Sequence, residues 1–302
     1  MTDMSIEFAG LTLRNPVTTA SGTFGSGIEY SKFVDLERLG AITTKGVSYK
    51  PWEGNPTPRV TETPSGMMNA IGLQNPGVDV FVERDLKFLE SCDVPVIVNV
   101  CGHSIEEYES VIEKLSDDHR ISMFEINVSC PNVKQGAIQF GTDPGLLKDI
   151  THKCKRKSGG KPVIMKLTPN VTSITEMAKA AEDGGADGLS LINTFTAMKI
   201  DIYKRSFALA NKTGGLSGPA IHPIAVRMVY EASHAVSIPV IGMGGIATSE
   251  DAIEMMMAGA TMVAVGMMNF CEPDITLKVI EGMEQYLKDT GTRCIRDVIG
   301  IL

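Results

Sequence analysis

Asn127, Cys130 and Asn132 crowd into FEINVSCPNVKQG, residues 124 to 136, around the expected end of a buried strand. A thiolate accepts a proton, a neutral amide offers a donor and an acceptor to a flat polar ligand, and Pro131 breaks the strand. A free cysteine taken alone is more often a small buried hydrophobe, so the rest of the chain must carry the reading. Two lysines inside apolar strands add to it. Lys166 follows Val163, Ile164 and Met165 and precedes Leu167, where a cation is expensive to bury unless a partner offsets its desolvation. An internal salt bridge to an acid of a neighbouring strand, such as Glu125, is the alternative to a ligand-facing role. Lys45 ends a similar run, AITTKGV.

A third kind of chemistry belongs to backbone rather than side chains. GMGGIATSED, residues 242 to 251, with Val265 and Gly266 further on, lets N–H groups approach an anion at a helix start. Gly242, Gly244 and Ala247 also fit a dinucleotide fingerprint, but no acid follows about 20 residues later to hold a ribose. A mononucleotide phosphate fits better.

These groups need a frame that gathers strand ends. Eight short apolar runs recur, at 16 to 22, 41 to 47, 94 to 102, 123 to 131, 162 to 169, 187 to 194, 238 to 245 and 261 to 267. Most are followed by a plausible helix, which predicts βαβ units around a parallel sheet. Eight of them in 302 residues predict an α/β fold, a (β/α)8 TIM barrel forming a single domain over 1–302, since such barrels need ~250 residues. Ser104 with Glu107, Ser173 with Glu176, and Thr248 with Asp251 have capping-box spacing, and Asp143 before Pro144 marks another helix start. The stretches 48 to 93 and 195 to 237 are too long for simple crossovers. They are expected as insertions at the C-terminal face of the strands, where barrel chemistry sits.

Composition narrows the class. Hydrophobic residues at 43% and charged ones at 21% fit a soluble globular protein with a large core. A net charge of -8 opposes binding to nucleic acid. The one basic run, residues 153 to 157, reads as a solvated helix end. Six cysteines without CxxC spacing predict no disulfide framework and a reducing, cytoplasmic location. The N-terminal residues show no signal peptide or membrane span, and the scattered histidines show no metal-binding spacing.

A phosphate end, lysines and amides that could meet a heterocycle, and a thiol across from them are consistent with a flavin mononucleotide (FMN) site. A lysine near flavin N1 and the C2 carbonyl would stabilise the anionic reduced ring, and Lys166 is the candidate. The motifs TASGTFGSG, TTKGVS, NAIGLQNPG, NVSCPNVKQG, FGTDP, NKTGGLSGPAI and GMGGI together resemble, over nearly the whole chain, the catalytic subunits of class 1B dihydroorotate dehydrogenases. The cysteine in NVSCPN separates that class from the membrane-associated one, which uses serine and carries an N-terminal extension.

The resemblance implies oxidation of dihydroorotate to orotate in pyrimidine biosynthesis. Cys130 would take the C5 proton while hydride leaves C6 for the flavin. Lys45, Asn69, Ala70, Ile71, Gly72, Leu73, Asn127, Asn132, Asn193 and Thr194 would hold substrate. Ser21, Lys45, Gly46, Asn99, Asn127, Lys166, Ile192, Gly218, Gly244, Gly245, Gly266 and Met267 would hold FMN. Met267 stands where the family usually has threonine, His222 where lysine is common, and Ala137 where glycine is common. The resemblance further implies a partner subunit carrying FAD and a 2Fe–2S cluster, passing electrons to NAD in a heterotetramer of two catalytic and two electron-transfer chains. The rival readings are a Schiff-base lyase using Lys45 or Lys166, a related FMN-dependent pyrimidine or tRNA-uridine reductase, and an FMN-binding scaffold without activity.

Overall fold

The computed structural model describes residues 2 to 128 and 140 to 302. Cys130, Asn132 and Ala137 lie outside the described residues. Each of the eight expected runs contains a strand: β1 (Val17–Thr19), β2 (Ile42–Thr43), β3 (Val96–Val100), β4 (Met123–Asn127), β5 (Val163–Lys166), β6 (Gly188–Leu191), β7 (Val240–Met243) and β8 (Met262–Val265). They pair in parallel in the order β1-β8-β7-β6-β5-β4-β3-β2. Every residue of β3, β4, β5 and β6 is buried, because helices cover one face and barrel side chains the other. The ring closes between β1 and β2 through threonines. The Thr18 and Thr43 hydroxyls stand 3.2 Å apart, and the Thr43 N–H donates to Thr19 Oγ1 at 3.2 Å. The chain is therefore a (β/α)8 TIM barrel.

The expected helix starts are realised by side-chain oxygens that accept orphan N–H groups. Ser104 caps Ile105–Leu115, Asp143 caps Pro144–Lys157 with proline in the first turn, and Ser173 caps Ile174–Asp183. Thr248 and Asp251 form a full reciprocal capping box on Ser249–Met257. In Ile174–Asp183 the residues Ile174, Met177, Ala178 and Ala181 are buried, the i, i+3, i+4, i+7 stripe that seats a helix on a sheet. The first crossover departs from the pattern, having only the 3-10 turns Tyr30–Lys32 and Leu36–Arg38. The basic run does end a helix, but it is not simply solvated: Lys155 bonds both Asp187 oxygens, at 2.8 and 2.6 Å, and Lys157 meets Glu113 at 2.8 Å.

Two features lie outside the βα alternation. An antiparallel hairpin, Ile6–Phe8 with Leu11–Leu13, lies against the barrel's N-terminal end, where Phe8 packs at the start of β6: a Cβ on Gly188 would meet the ring 3.0 Å away. The two long insertions join each other. Val60–Thr63 and Gly66–Asn69 from the first, and Phe195–Met198 and Thr213–Ser217 from the second, form one four-stranded antiparallel sheet. Met68, Ala70 and Leu209 make a small core beneath it.

Candidate active site

A cavity of about 530 Å³ opens where the barrel strands end and the insertion sheet begins. That is the C-terminal face, and the volume suits a small-molecule cofactor. Of the residues expected to hold a ligand, Ser21, Lys45, Asn69, Ile71, Gly72, Leu73, Asn127, Lys166, Ile192, Asn193, Thr194, Gly218, Gly244, Gly245, Gly266 and Met267 all line it. Gly46, Asn99 and Ala70 stand behind this wall: Asn99 and Ala70 are fully buried, and a Cβ on Gly46 would be 3.0 Å from Asn99 Oδ1.

On one side the wall is built from side chains around a carboxylate. Glu125, 1% exposed, receives Asn99 Nδ2 at 2.6 Å, Lys166 Nζ at 3.2 Å and the Ser190 hydroxyl at 2.7 Å. Groups from β3, β5 and β6 thus converge on β4. The salt bridge foreseen as an alternative for Lys166 exists, and Lys166 still reaches the cavity, with Nζ 3.5 Å from Ser21 Oγ. The pairing lets a buried ammonium persist where its desolvation is costly, and it fixes the side chain's direction. Asn99 Oδ1 is buried with no hydrogen-bond partner among the described residues.

Amides form the next part of the same side. Asn193 Nδ2 donates to Asn127 Oδ1 at 3.3 Å, and Asn193 Oδ1 accepts from the Thr194 N–H at 2.9 Å. Their positions are set by residues not singled out from sequence. The Tyr108 hydroxyl donates to the Asn127 carbonyl at 2.8 Å, and Asn170 Nδ2 donates to the Thr194 carbonyl at 3.0 Å. Asn55 holds the Ala70 carbonyl at 2.9 Å and Asn75 the Leu73 carbonyl at 2.9 Å, pinning the 69 to 73 stretch in which Leu73 takes a left-handed φ of 52°. Asparagine in such loops is common for purely local reasons, so only the register of distant strands reveals these four. Arg59, Glu29 and Tyr30 also line the cavity. Burial, with Glu29 beside it, pushes the Tyr30 phenol above its ordinary pKa, leaving a neutral hydroxyl that donates to the Asn269 carbonyl at 3.2 Å.

The opposite side is backbone. Gly218, Gly244 and Gly245 have φ of 105°, 132° and 72°, a region L side chains avoid. A Cβ on Gly244 would be 2.6 Å from Ala225, and one on Gly245 would be 2.7 Å from His222 Cβ. Gly266 differs: a Cβ there would meet only Ala20, at 3.6 Å, so the fold itself tolerates a methyl and the need for glycine lies on the cavity side. Helix His222–Ser233 begins close after Gly218. Backbone N–H groups and a helix start make a cradle for an anion.

The family model described as dihydroorotate dehydrogenase matches residues 3–287. A protein of Lachnoclostridium phytofermentans named dihydroorotate dehydrogenase B (NAD(+)), catalytic subunit, is 63% identical over 296 residues, covering 98% of each chain. A protein of Alkaliphilus oremlandii with the same name is 55% identical over 300 residues, covering 99% of each. A crystal structure of DHODH from Eimeria tenella in complex with ferulenol superposes with a TM-score of 0.84, at 22% identity, over 99% of this chain and 88% of that one. That last likeness bears on the fold.

Proposed function

The chain belongs to the dihydroorotate dehydrogenase family, and from that premise we propose that it oxidises dihydroorotate to orotate in pyrimidine biosynthesis, with FMN held at the mouth of the barrel. The observation that carries the reading is one cavity with a buried, paired lysine and amides on one side and a glycine cradle on the other. The residues fit FMN. Gly218, Gly244, Gly245 and Gly266 would take the phosphate on their backbone, with Met267 beside them. Lys166, Ser21 and Asn127 would meet the heterocycle, and the unpartnered Asn99 Oδ1 marks polar capacity just behind it.

FMN, when bound, supplies a two-electron acceptor for the hydride at substrate C6. This chain's residues do the rest. Lys166 would offer its positive charge to the ring, and its pairing with Glu125 would hold it in place without reorganisation. Asn69, Asn127, Asn132, Asn193 and Thr194 would read the donor and acceptor edge of the pyrimidine, with Lys45 and the 69 to 73 backbone completing the substrate pocket. Cys130, outside the described residues, is assigned the C5 proton. C5 lies beside a carbonyl and is the more acidic carbon, so a thiolate suffices as base. A lyase using Lys166 as a Schiff-base nucleophile fits less well, because its Nζ is held 3.2 Å from the buried Glu125 carboxylate rather than left open to a carbonyl.

The relatives' names include NAD(+) and a catalytic subunit, which supports a partner chain that delivers electrons to NAD. We assign that partner the FAD and the 2Fe–2S cluster, in a heterotetramer of two chains of each kind, and treat 1–302 as a single FMN-binding domain. Cys92, Cys154, Cys271 and Cys294 are free thiols, which supports a cytosolic location. No described helix is long and apolar enough to cross a membrane.

The test is turnover. The chain loaded with FMN and given dihydroorotate and an artificial electron acceptor should release orotate, followed by its near-ultraviolet absorption. Cys130→Ala should bind FMN normally and turn over about 10²–10⁴-fold more slowly, the usual worth of a general base. Absence of orotate from the unmodified chain would sink the assignment, and unchanged turnover in Cys130→Ala would remove the thiol from it.

A further inference from the structure

Behind the glycine cradle, on the side away from the cavity wall, three ligand-bearing side chains from two helices meet. His222 opens His222–Ser233, and Asp251 and Glu254 lie on one face of Ser249–Met257. His222 Nε2 is 3.3 Å from Glu254 Oε2 and 3.8 Å from Asp251 Oδ1, and the three ligand atoms lie within 4.8 Å of one another. Histidines scattered along the sequence gave no sign of this, because helix packing rather than spacing creates it.

The surroundings of His222 point to an ion. Its Nδ1 is 2.8 Å from the Gly244 carbonyl, which only accepts, so Nδ1 carries the hydrogen. Nε2, on the other side of the ring, is aimed at two carboxylates. The side chain is only 8% exposed, and Nε2 has no hydrogen-bond partner among the described residues. A buried ring nitrogen without such a partner, facing two carboxylates, is a donor set that a cation can bridge. The Nδ1–H to carbonyl bond is the second-shell contact that orients a ligating imidazole. Asp251 is also preset: its Oδ2 accepts from the Ala247 and Thr248 N–H groups at 2.8 and 2.9 Å, leaving Oδ1 toward His222. Glu254, 60% exposed, can close on an ion from the solvent side.

We propose that His222, Asp251 and Glu254 bind a zinc-like divalent transition-metal ion, with water in the remaining position. Ligand atoms about 2.0–2.2 Å from a tetrahedral ion stand roughly 3.3–3.6 Å apart, close to the spacing seen around Nε2. One imidazole with two carboxylates suits zinc, cobalt or nickel better than magnesium or calcium, which prefer oxygen alone. The ion holds the imidazole, the imidazole holds the Gly244 carbonyl, and the site thereby braces the loop that forms the anion cradle from behind.

Zinc alone is the probe. The purified full-length chain, stripped with chelator and with accessible thiols alkylated to remove competing cysteine sites, is titrated with Zn²⁺ against a chromogenic chelator. A single equivalent should bind, with affinity falling ~100-fold or more in His222→Gln, a ligand loss at least as costly as loss of a second-shell partner. Glu254→Gln, at an exposed position that leaves folding intact, should weaken it about tenfold or more, and it decides the matter if His222→Gln does not fold. No stoichiometric uptake by the unmodified chain, or equal uptake by Glu254→Gln, would overturn the proposal.

Discussion

The two sides of the cavity are made in opposite ways. The side at β3 to β6 uses side chains, with Asn99, Lys166 and Ser190 gathered on the Glu125 carboxylate and the amides of Asn127 and Asn193 above them. The side at β7 and β8 uses backbone, exposed by Gly218, Gly244 and Gly245, whose φ and packing leave no room for a Cβ, and by Gly266, whose open side faces the cavity. The difference fits what each is proposed to hold. A heterocycle with distinct donors and acceptors needs directional groups that stay in place, and burying charge to place them demands a partner network. A phosphate offers several equivalent oxygens, so close approach of N–H groups and a helix start suffices.

The contrast is disrupted most severely at Glu125. Glu125→Gln leaves Lys166 as a buried cation without its carboxylate and should destabilise the protein by about 3–5 kcal/mol, read from the midpoint of urea unfolding. A variant as stable as the parent would show that the network is not what lets Lys166 sit buried in the cavity wall. On the backbone side, Gly266→Ala should leave apo-protein stability unchanged, since its Cβ meets only Ala20. It should weaken FMN by about 1–3 kcal/mol through overpacking against the ligand while leaving riboflavin, which lacks the phosphate, nearly unaffected. Equal losses for both ligands would put the phosphate elsewhere.

Met267→Thr acts on the same side in the other direction. Restoring a hydroxyl where the chain has methionine adds one neutral hydrogen bond, worth ~1 kcal/mol or roughly fivefold in FMN affinity by fluorescence quenching. The smallest effect lies outside both sides and serves as a control for acid titrations. Hydrogen bonds from Ser5, with Arg296 alongside, lower the Asp3 pKa from 3.8 to about 2. A depressed carboxylate stabilises the fold above its unfolded pKa, so this contribution should disappear as pH falls from about 4 to about 2. Asp3→Asn should therefore lower Tm slightly at neutral pH, and its gap from the parent should close over that range.

The backbone side was legible in the sequence because glycine is itself the signal, as in GMGGI and at Gly266. The barrel strands were legible for a similar reason: short unbroken runs of Val and Ile fit strands buried on both faces, as in a parallel sheet, and Ser104, Asp143, Ser173 and Thr248 each mark a helix start locally. The side-chain half was legible only in part. Lys166 stood out as a cation among hydrophobes, but Glu125 as the shared acceptor of three strands depends on barrel register. Tyr108, Asn55, Asn75 and Asn170 position the site through contacts between residues distant in the chain. The sheet uniting the two insertions was missed for the same reason, since its strands are short, partly exposed and paired only across the fold. Neither Cys130 nor Asn132 is among the described residues, so their expected roles rest on sequence and family.

The most direct measurement of how the two walls work together is an anaerobic titration of the FMN-loaded chain with dihydroorotate, following the visible flavin absorption and the release of orotate. Bleaching of the flavin with one orotate formed per FMN is expected if the side-chain wall holds substrate against a flavin anchored by the glycine wall. Flavin that stays yellow in excess dihydroorotate, with no orotate formed, would contradict that arrangement.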